Sequence, residues 1–373
     1  MNRLINFDHN ATTPIKAAVA NTISDTLTIG GNASSVHAVG RLARQKIEEA
    51  RDKIAKLVGV RASEVVFTSG GTEANNLVLR GMKCKHIMVS AIEHDSVLDA
   101  VDNIERLKVD ENGLIDIAAF EEKLKYADGR VLVSIMLANN ETGVIQSVSE
   151  LSKIARKYGA LLHTDAVQAC GKIEFDRASL GVDFISLSAH KIGGPQGVGA
   201  LIVSEDIAIG SDIKGGGQER GRRAGTENLP GIAGFGVAGE IAGAFSDVVK
   251  IRNLRDRLEA SIKKITPETI VYGENVDRLP NTSSIFMPGV KSETQIMKFD
   301  LKGIMISAGS ACSSGKVQSS HVLRAMGVDN DIASNVIRIS LGSVNTIDDI
   351  DYFVREWKQI YMSANVNKLM EVA

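Results

Sequence analysis

Short runs rich in β-branched and apolar residues recur along the first part of this chain, and helical patterns separate them: EVVFTS (64–69), HIMVS (86–90), VLVSIML (131–137), ALLHTD (160–165), DFISLS (183–188) and ALIVS (200–204). Between them lie amphipathic stretches such as RLARQKIEEARDKIAKLV (41–58) and SELSKIARKYG (149–159). A strand that is apolar on both faces must be covered on both faces, and an intervening helix lets successive strands run the same way. The pattern therefore predicts an α/β fold with a mostly parallel sheet.

The chain has 373 residues, more than one hydrophobic core usually serves. From about Asn228 the pattern changes. LPGIAGFGVAGEIAGAF reads as a buried helix of small residues, and a charged helix follows over 250–265. Shorter strands come at 283–288, 304–307 and 336–340, with a helix near 318–326 and a last one from Ile347. This predicts a smaller α+β domain, with residues 14–248 forming the large domain and residues 1–13 and 249–373 the small one.

Hydrophobic residues make up 44% and charged residues 24%, and the net charge is −2. No overall basic field points to nucleic acid or an anionic membrane. No apolar run approaches the roughly 20 residues that span a bilayer. The opening MNRLINFDHN carries Asp8 and no long apolar core, so a cytoplasmic location is the expectation. Three scattered cysteines form neither a disulfide framework nor a zinc pattern, and no metal site is expected. Cys84 and Cys170 sit in ordinary mixed sequence and read as structural. Cys312 differs, because SAGSACSSGK offers little to pack around a thiol.

Three motifs carry chemistry. Ser69-Gly70-Gly71-Thr72-Glu73 follows a strand directly. Glycines there let backbone N–H groups and a helix N-terminus meet a phosphate, and Thr72 adds a hydroxyl; a simple turn with a helix cap has the same appearance. His163-Thr164-Asp165-Ala166-Val167-Gln168 ends another strand, where open α/β sheets bind ligands. Asp165 could hold a heterocyclic N–H⁺ and Gln168 could bond the same ligand, or Asp165 could be a helix cap. Ser188-Ala189-His190-Lys191 ends a third strand before Gly193-Gly194-Pro195. A lysine so placed, partly desolvated and near cations, is a competent amine nucleophile, although a lone loop lysine is the commoner case. Together the motifs describe a pyridoxal 5'-phosphate site. Lys191 is its Schiff-base lysine and Asp165 its partner for the pyridine nitrogen. Gly71, Thr72, Ser188 and His190 seat the phosphate.

The segments FDHNATTP (7–14), GNASSVHAVGR (31–41), FTSGGTEANN (67–76), EHDSVL (93–98), NNETGVIQ (139–146), HTDAVQACGK (163–172), SAHKIGGPQGVGA (188–200), GGGQERGRRAGTEN (215–228), SAGSACSSG (307–315) and VIRISLGS (336–343) follow one another in order. In these the chain resembles the cysteine desulfurases of iron–sulfur cluster assembly, in the class V aminotransferase group. The resemblance implies fold type I with a seven-stranded main sheet. It implies that His94 stacks on the cofactor ring and moves protons, and that Asn140 lies by the cofactor and the substrate carboxylate. Gln168 would bond the ring's phenolic oxygen, and Arg338 would clamp the substrate carboxylate. Thr226 would reach the phosphate of a neighbouring subunit, which makes a homodimer the active unit. Cys312 would take sulfur from L-cysteine as a persulfide, release L-alanine and pass the sulfur to an acceptor such as an Fe–S scaffold or a tRNA-thiolation protein.

A selenocysteine lyase or related β-lyase of the same fold is the alternative enzyme, and an inactive scaffold the alternative class. The chain departs from the family pattern at Ala33, where proline is common, between EHDSVL and NNETG, which looks short, and before SAGSACSSG, which looks compact. Arg220, Arg222 and Arg223 read as a phosphate-side or dimer-interface loop, since nothing else supports nucleic-acid binding.

Overall fold

A computed structural model describes residues 4–309 and 319–371. A two-residue strand β1 (Ile5–Asn6) opens the chain. The main sheet is built from β2 (Val65–Thr68), β3 (His86–Ser90), β4 (Glu105–Leu107), β5 (Val131–Ser134), β6 (Leu161–Asp165), β7 (Phe184–Ser188) and β8 (Gly199–Val203). Four more strands follow: β9 (Thr282–Phe286), β10 (Ile304–Met305), β11 (Ser307–Ala308) and β12 (Val336–Ser340).

The main sheet has seven strands in the order β2-β8-β7-β6-β5-β3-β4. Pairing is parallel except at β8, which runs antiparallel to both β2 and β7. Because only β8 is reversed, the carboxyl ends of β2, β3, β5, β6 and β7 reach the same edge of the sheet. The seventh strand, β4, carries only ERL and sits at the far edge. It had no apolar run to announce it. The predicted strand at 304–307 is in fact two. β10 pairs in parallel with β1, while β11 joins β12 and β9 in a three-stranded antiparallel sheet.

The helix Leu229–Ala242 packs in the large core with Ile232 and Phe235 fully enclosed. Its glycines permit close contact. A Cβ on Gly236 would lie 2.7 Å from the Ala50 Cα of the helix Ala38–Leu57. A second core gathers Ile5 and Phe7 with residues from Leu254 to Ile360, including Phe299, Phe353 and Trp357. Phe299 stacks on Phe353 with centroids 4.5 Å apart. Among the described residues, no helix is long and apolar enough to cross a membrane. Cys170 is buried, and burial pushes its thiol up to about 12, as suits a packing residue. Cys84 is half-buried and its thiol is raised too.

One polar group is locked inside the sheet. His163 is fully buried on β6, and its ring nitrogens lie 2.8 Å from Ser134 Oγ on β5 and 2.9 Å from Ser186 Oγ on β7. Three adjacent strands are thus pinned in register just before they deliver Asp165. Burial drives His163 down to about 3. An unfolded chain protonates it near the ordinary 6.5, so its neutral form stabilises the fold fully above pH 6.5 and progressively less as pH falls toward 3. His163→Ala leaves two buried hydroxyls unpaired and a void. It should cost about 3 kcal/mol in urea unfolding at pH 7.5, and its stability should fall less steeply on acidification.

Candidate active site

A cavity of about 240 Å³ opens at the shared sheet edge. Each wall comes from a different strand end. After β2, the loop Ser69–Gly70 leads into the helix Gly71–Gly81, whose first N–H groups have no helical partner. Gly71 and Thr72 line the cavity here. A Cβ on Gly71 would come within 2.9 Å of Val167 Cγ2, so the close approach needs glycine. Behind this turn, Glu73 takes the Ser69 N–H at 2.8 Å and pairs with Arg223 at 2.8 Å. Arg51 holds Glu219 at 2.7 Å, and Glu219 accepts the Phe67 N–H at 2.9 Å. The arginine loop thus braces the glycine turn from within the same chain. Arg220 is exposed there.

After β6 comes Asp165, which is 7% exposed. Its Oδ2 accepts from Asn75 Nδ2 at 2.8 Å and its Oδ1 from the Val167 N–H at 2.9 Å. The carboxylate is therefore oriented before any ligand arrives. Asn75 had no role assigned from sequence. Its signal was its position, one helical turn past Gly71 and on the same face.

After β7, a short 3-10 turn (Ala189–Ile192) carries His190 and Lys191, and Gly193 closes it with φ 78°, a left-handed conformation that favours glycine. Lys191 Nζ donates to the backbone carbonyls of Asn10 at 2.6 Å and Ala11 at 2.9 Å. Burial first, and then the Lys191 charge, lower His190 to about 4, so at neutral pH its ring is uncharged. Ser188 lines the same wall.

After β3, His94 caps the helix Asp95–Leu98. Its Nδ1 accepts the Ser96 N–H at 3.0 Å, which places the neutral ring's proton on Nε2. Beside it, Glu93 is wholly buried and accepts the Met136 N–H at 2.6 Å. Burial first, and then the nearby Asp165 charge, push Glu93 well above its ordinary value. After β5, Asn140 completes the lining.

Gln168 joins this site, its Nε2 donating to Asn10 O at 3.0 Å. Arg338, on β12, is 5% exposed and reaches the cavity's edge by donating to Asn140 O at 3.2 Å. It also pairs with Asp8 at 2.7 Å. Thr226 does not line the cavity; it is exposed on the loop before the helix Leu229–Ala242. Cys312 lies outside the described residues. The residues flanking that segment do adjoin the site. Glu141, next to Asn140, accepts from Ser320 Oγ, and a Cβ on Gly309 would meet Glu141 Oε2 at 2.2 Å.

The chain belongs to the class-V aminotransferase family. Its sequence matches the Aminotransferase class-V profile over residues 5–353. It is 41% identical to the cysteine desulfurase IscS of Dictyoglomus turgidum over 94% of this chain and 93% of that protein. It is 42% identical to a cysteine desulfurase of Sinorhizobium fredii over 99% of this chain and 98% of that one. Among solved structures, a NifS-like protein from Rickettsia africae superposes with a TM-score of 0.89 at 40% identity, covering 96% of this chain and 99% of that chain. A more distant one, SspA in complex with cysteine, gives 0.77 at 30% identity over 92% and 100%. The class-V fold is fold type I, and the family's enzymes depend on pyridoxal phosphate.

The cavity fits that cofactor in its own chemistry. It offers an oriented buried carboxylate for a ring N–H⁺, a primary amine for an aldehyde, and a glycine turn with hydroxyls for a phosphate. Asn75→Ala removes a hydrogen bond to a charged group, about 2 kcal/mol. Retention of pyridoxal phosphate should weaken roughly 30-fold, read as release of visible absorbance on dialysis, with little change in Tm.

Proposed function

We propose that this chain is a pyridoxal-phosphate-dependent cysteine desulfurase. It takes sulfur from L-cysteine onto Cys312 and releases L-alanine. One observation carries the reading: Lys191, the oriented Asp165 and the glycine-lined helix N-terminus share one cavity, and the flanks of the Cys312 segment adjoin it through Glu141.

Bound at Lys191, pyridoxal phosphate supplies the electron sink that lets a proton leave the substrate Cα. Asp165, held by Asn75 and Val167, keeps a proton on the ring nitrogen. Gln168 would donate to the ring's phenolic oxygen. Thr72, Ser188 and His190 hold the phosphate with the Gly71 turn, and Thr226 of a second subunit adds a hydroxyl. Lys191 Nζ would take the Cα proton, and His94 Nε2 would serve as a second proton carrier. Arg338 exchanges Asp8 for the substrate carboxylate, a planar donor matched to a planar acceptor.

The sulfur step balances without an outside oxidant. The substrate Cβ–S bond breaks, a bond forms between that sulfur and the Cys312 sulfur, and Cβ gains a proton and becomes the methyl group of alanine. Carbon is reduced and sulfur is oxidised. The persulfide then passes to an acceptor, an Fe–S scaffold or a tRNA-thiolation partner. The active unit is a cytoplasmic homodimer.

Cys312→Ala should keep the visible absorbance of the bound cofactor yet lose at least 100-fold in alanine formation, and mass spectrometry should find no persulfide on the protein. Alanine release at the wild-type rate in that variant would overturn the assignment. Arg338→Ala loses a charged bidentate contact of about 3 kcal/mol, so KM for L-cysteine should rise about 100-fold in steady-state assays.

A further inference from the structure

Two neighbouring asparagines on the helix Gly71–Gly81 reach across to the wall that carries His94. Asn75 Nδ2 donates to Asp165 Oδ2 at 2.8 Å and to Ser96 Oγ at 2.9 Å. A carboxamide nitrogen carries two hydrogens, one for each of these bonds. Asn76 Nδ2 donates to the carbonyl of Thr72 at 2.9 Å and to that of Ser96 at 3.2 Å. Ser96 in turn meets His94. Its Oγ lies 2.9 Å from His94 Nδ1, and its N–H donates to the same nitrogen at 3.0 Å. Asn75, His94, Ser96 and Asp165 all line the cavity.

The direction of each bond follows from its neighbours. Asn75 is buried, and among the described residues its Oδ1 has no hydrogen-bond partner. Turning the amide over would press that oxygen against the Asp165 carboxylate, so the nitrogen must face it. The Ser96 oxygen therefore receives a hydrogen from Asn75 and keeps its own to give. His94 Nδ1 accepts the Ser96 N–H, so in the neutral ring it is the lone-pair nitrogen, and the hydroxyl hydrogen points to it as well. Two donors on one ring nitrogen fix the plane of the imidazole along with its tautomer. A continuous run of hydrogen bonds thus joins Asp165, Asn75, Ser96 and His94.

We propose that Ser96 is a positioning residue for His94, aimed by Asn75: its hydroxyl holds the ring at the cavity wall with the proton on Nε2. The shared amide ties that orientation to the carboxylate that meets the pyridine nitrogen. The role rests on the reading of His94 as a proton carrier beside the cofactor.

The test begins with the full chain stripped of cofactor, its histidine rings labelled with nitrogen-15 for magnetic resonance. His94 is assigned as the signal lost in His94→Gln. A ring nitrogen that accepts fewer hydrogen bonds resonates further downfield. Ser96→Ala should therefore move His94 Nδ1 downfield, and Ser96→Thr, which keeps the hydroxyl, should leave it in place. Asn75→Ala, acting through the Ser96 hydroxyl, should move it the same way by less. In the enzyme loaded with cofactor, Ser96→Ala should lower kcat for alanine formation about tenfold, the worth of one hydrogen bond, with KM for L-cysteine changed less than about twofold. Ser96→Thr should restore most of that loss. A purely structural role would lower Tm and leave the Nδ1 signal unmoved. An unmoved signal in Ser96→Ala, or a wild-type kcat there, overturns the role. The alanine variant decides alone if the added methyl group keeps Ser96→Thr from folding. His94→Gln separates the two readings. A wild-type kcat in that variant overturns His94 as a proton carrier and the role of Ser96 with it. A large loss in His94→Gln beside an unchanged Ser96→Ala overturns only the role of Ser96.

Discussion

The geometry of this protein hangs on a single reversed strand. A fully parallel sheet also gathers its carboxyl ends on one edge, but here β8 runs backwards between β7 and β2. That reversal lets β8 follow β7 as its direct neighbour without a crossover helix, and it leaves β2, on β8's other side, running in the shared direction. The glycine turn after β2, Asp165 after β6 and Lys191 after β7 consequently face one space. None of them is near another in sequence. The pinning of β5, β6 and β7 by His163 matters for the same reason, because a slip of one residue would turn Asp165 to the other face.

Burial then sets the chemistry. Among the described residues at this edge, His163, His190 and His9 are all driven toward the neutral form, and Glu93 toward the protonated acid. Desolvation is the leading cause for each. Uncharged imidazoles and carboxylic acids can donate hydrogen bonds without adding field, so the charges that remain, on Asp165 and the basic residues, are left to act. An anionic phosphate and an anionic carboxylate suit a cavity arranged this way.

Much of this was legible in the sequence, for identifiable reasons. β5, β6 and β7 are buried on both faces and so open on apolar, β-branched-rich residues, and the polar residues that end them stood out as ligand groups. β4 was not legible, because a three-residue edge strand has neither periodicity nor an apolar run. The split of 304–307 between two sheets was hidden for a related reason: β10 and β11 are two residues each, and their partners lie far away in the chain. In the site, Asn75 and Asn10 escaped notice. Their importance comes from what they touch across 90 and 181 residues of chain, a relation that local pattern cannot carry. The arginine loop was visible as charge, but not as the brace behind the glycine turn.

The pairing of Asp8 with Arg338 has a consequence for how the molecule is made. β1 finds its partner in β10, Asp8 bridges to Ser340, and Asn10 bonds Ser340 and Asn281. Residues 5–10 therefore have to wait for seats that are synthesised some 270 to 330 residues later. The main sheet and its helices can close around their own core while residues 5–10 wait. Until the last strand arrives, Lys191 lacks its carbonyl partners and Arg338 does not yet exist. The nascent chain thus carries a folded scaffold with an unfinished site, and the site is completed only once β12 has been made.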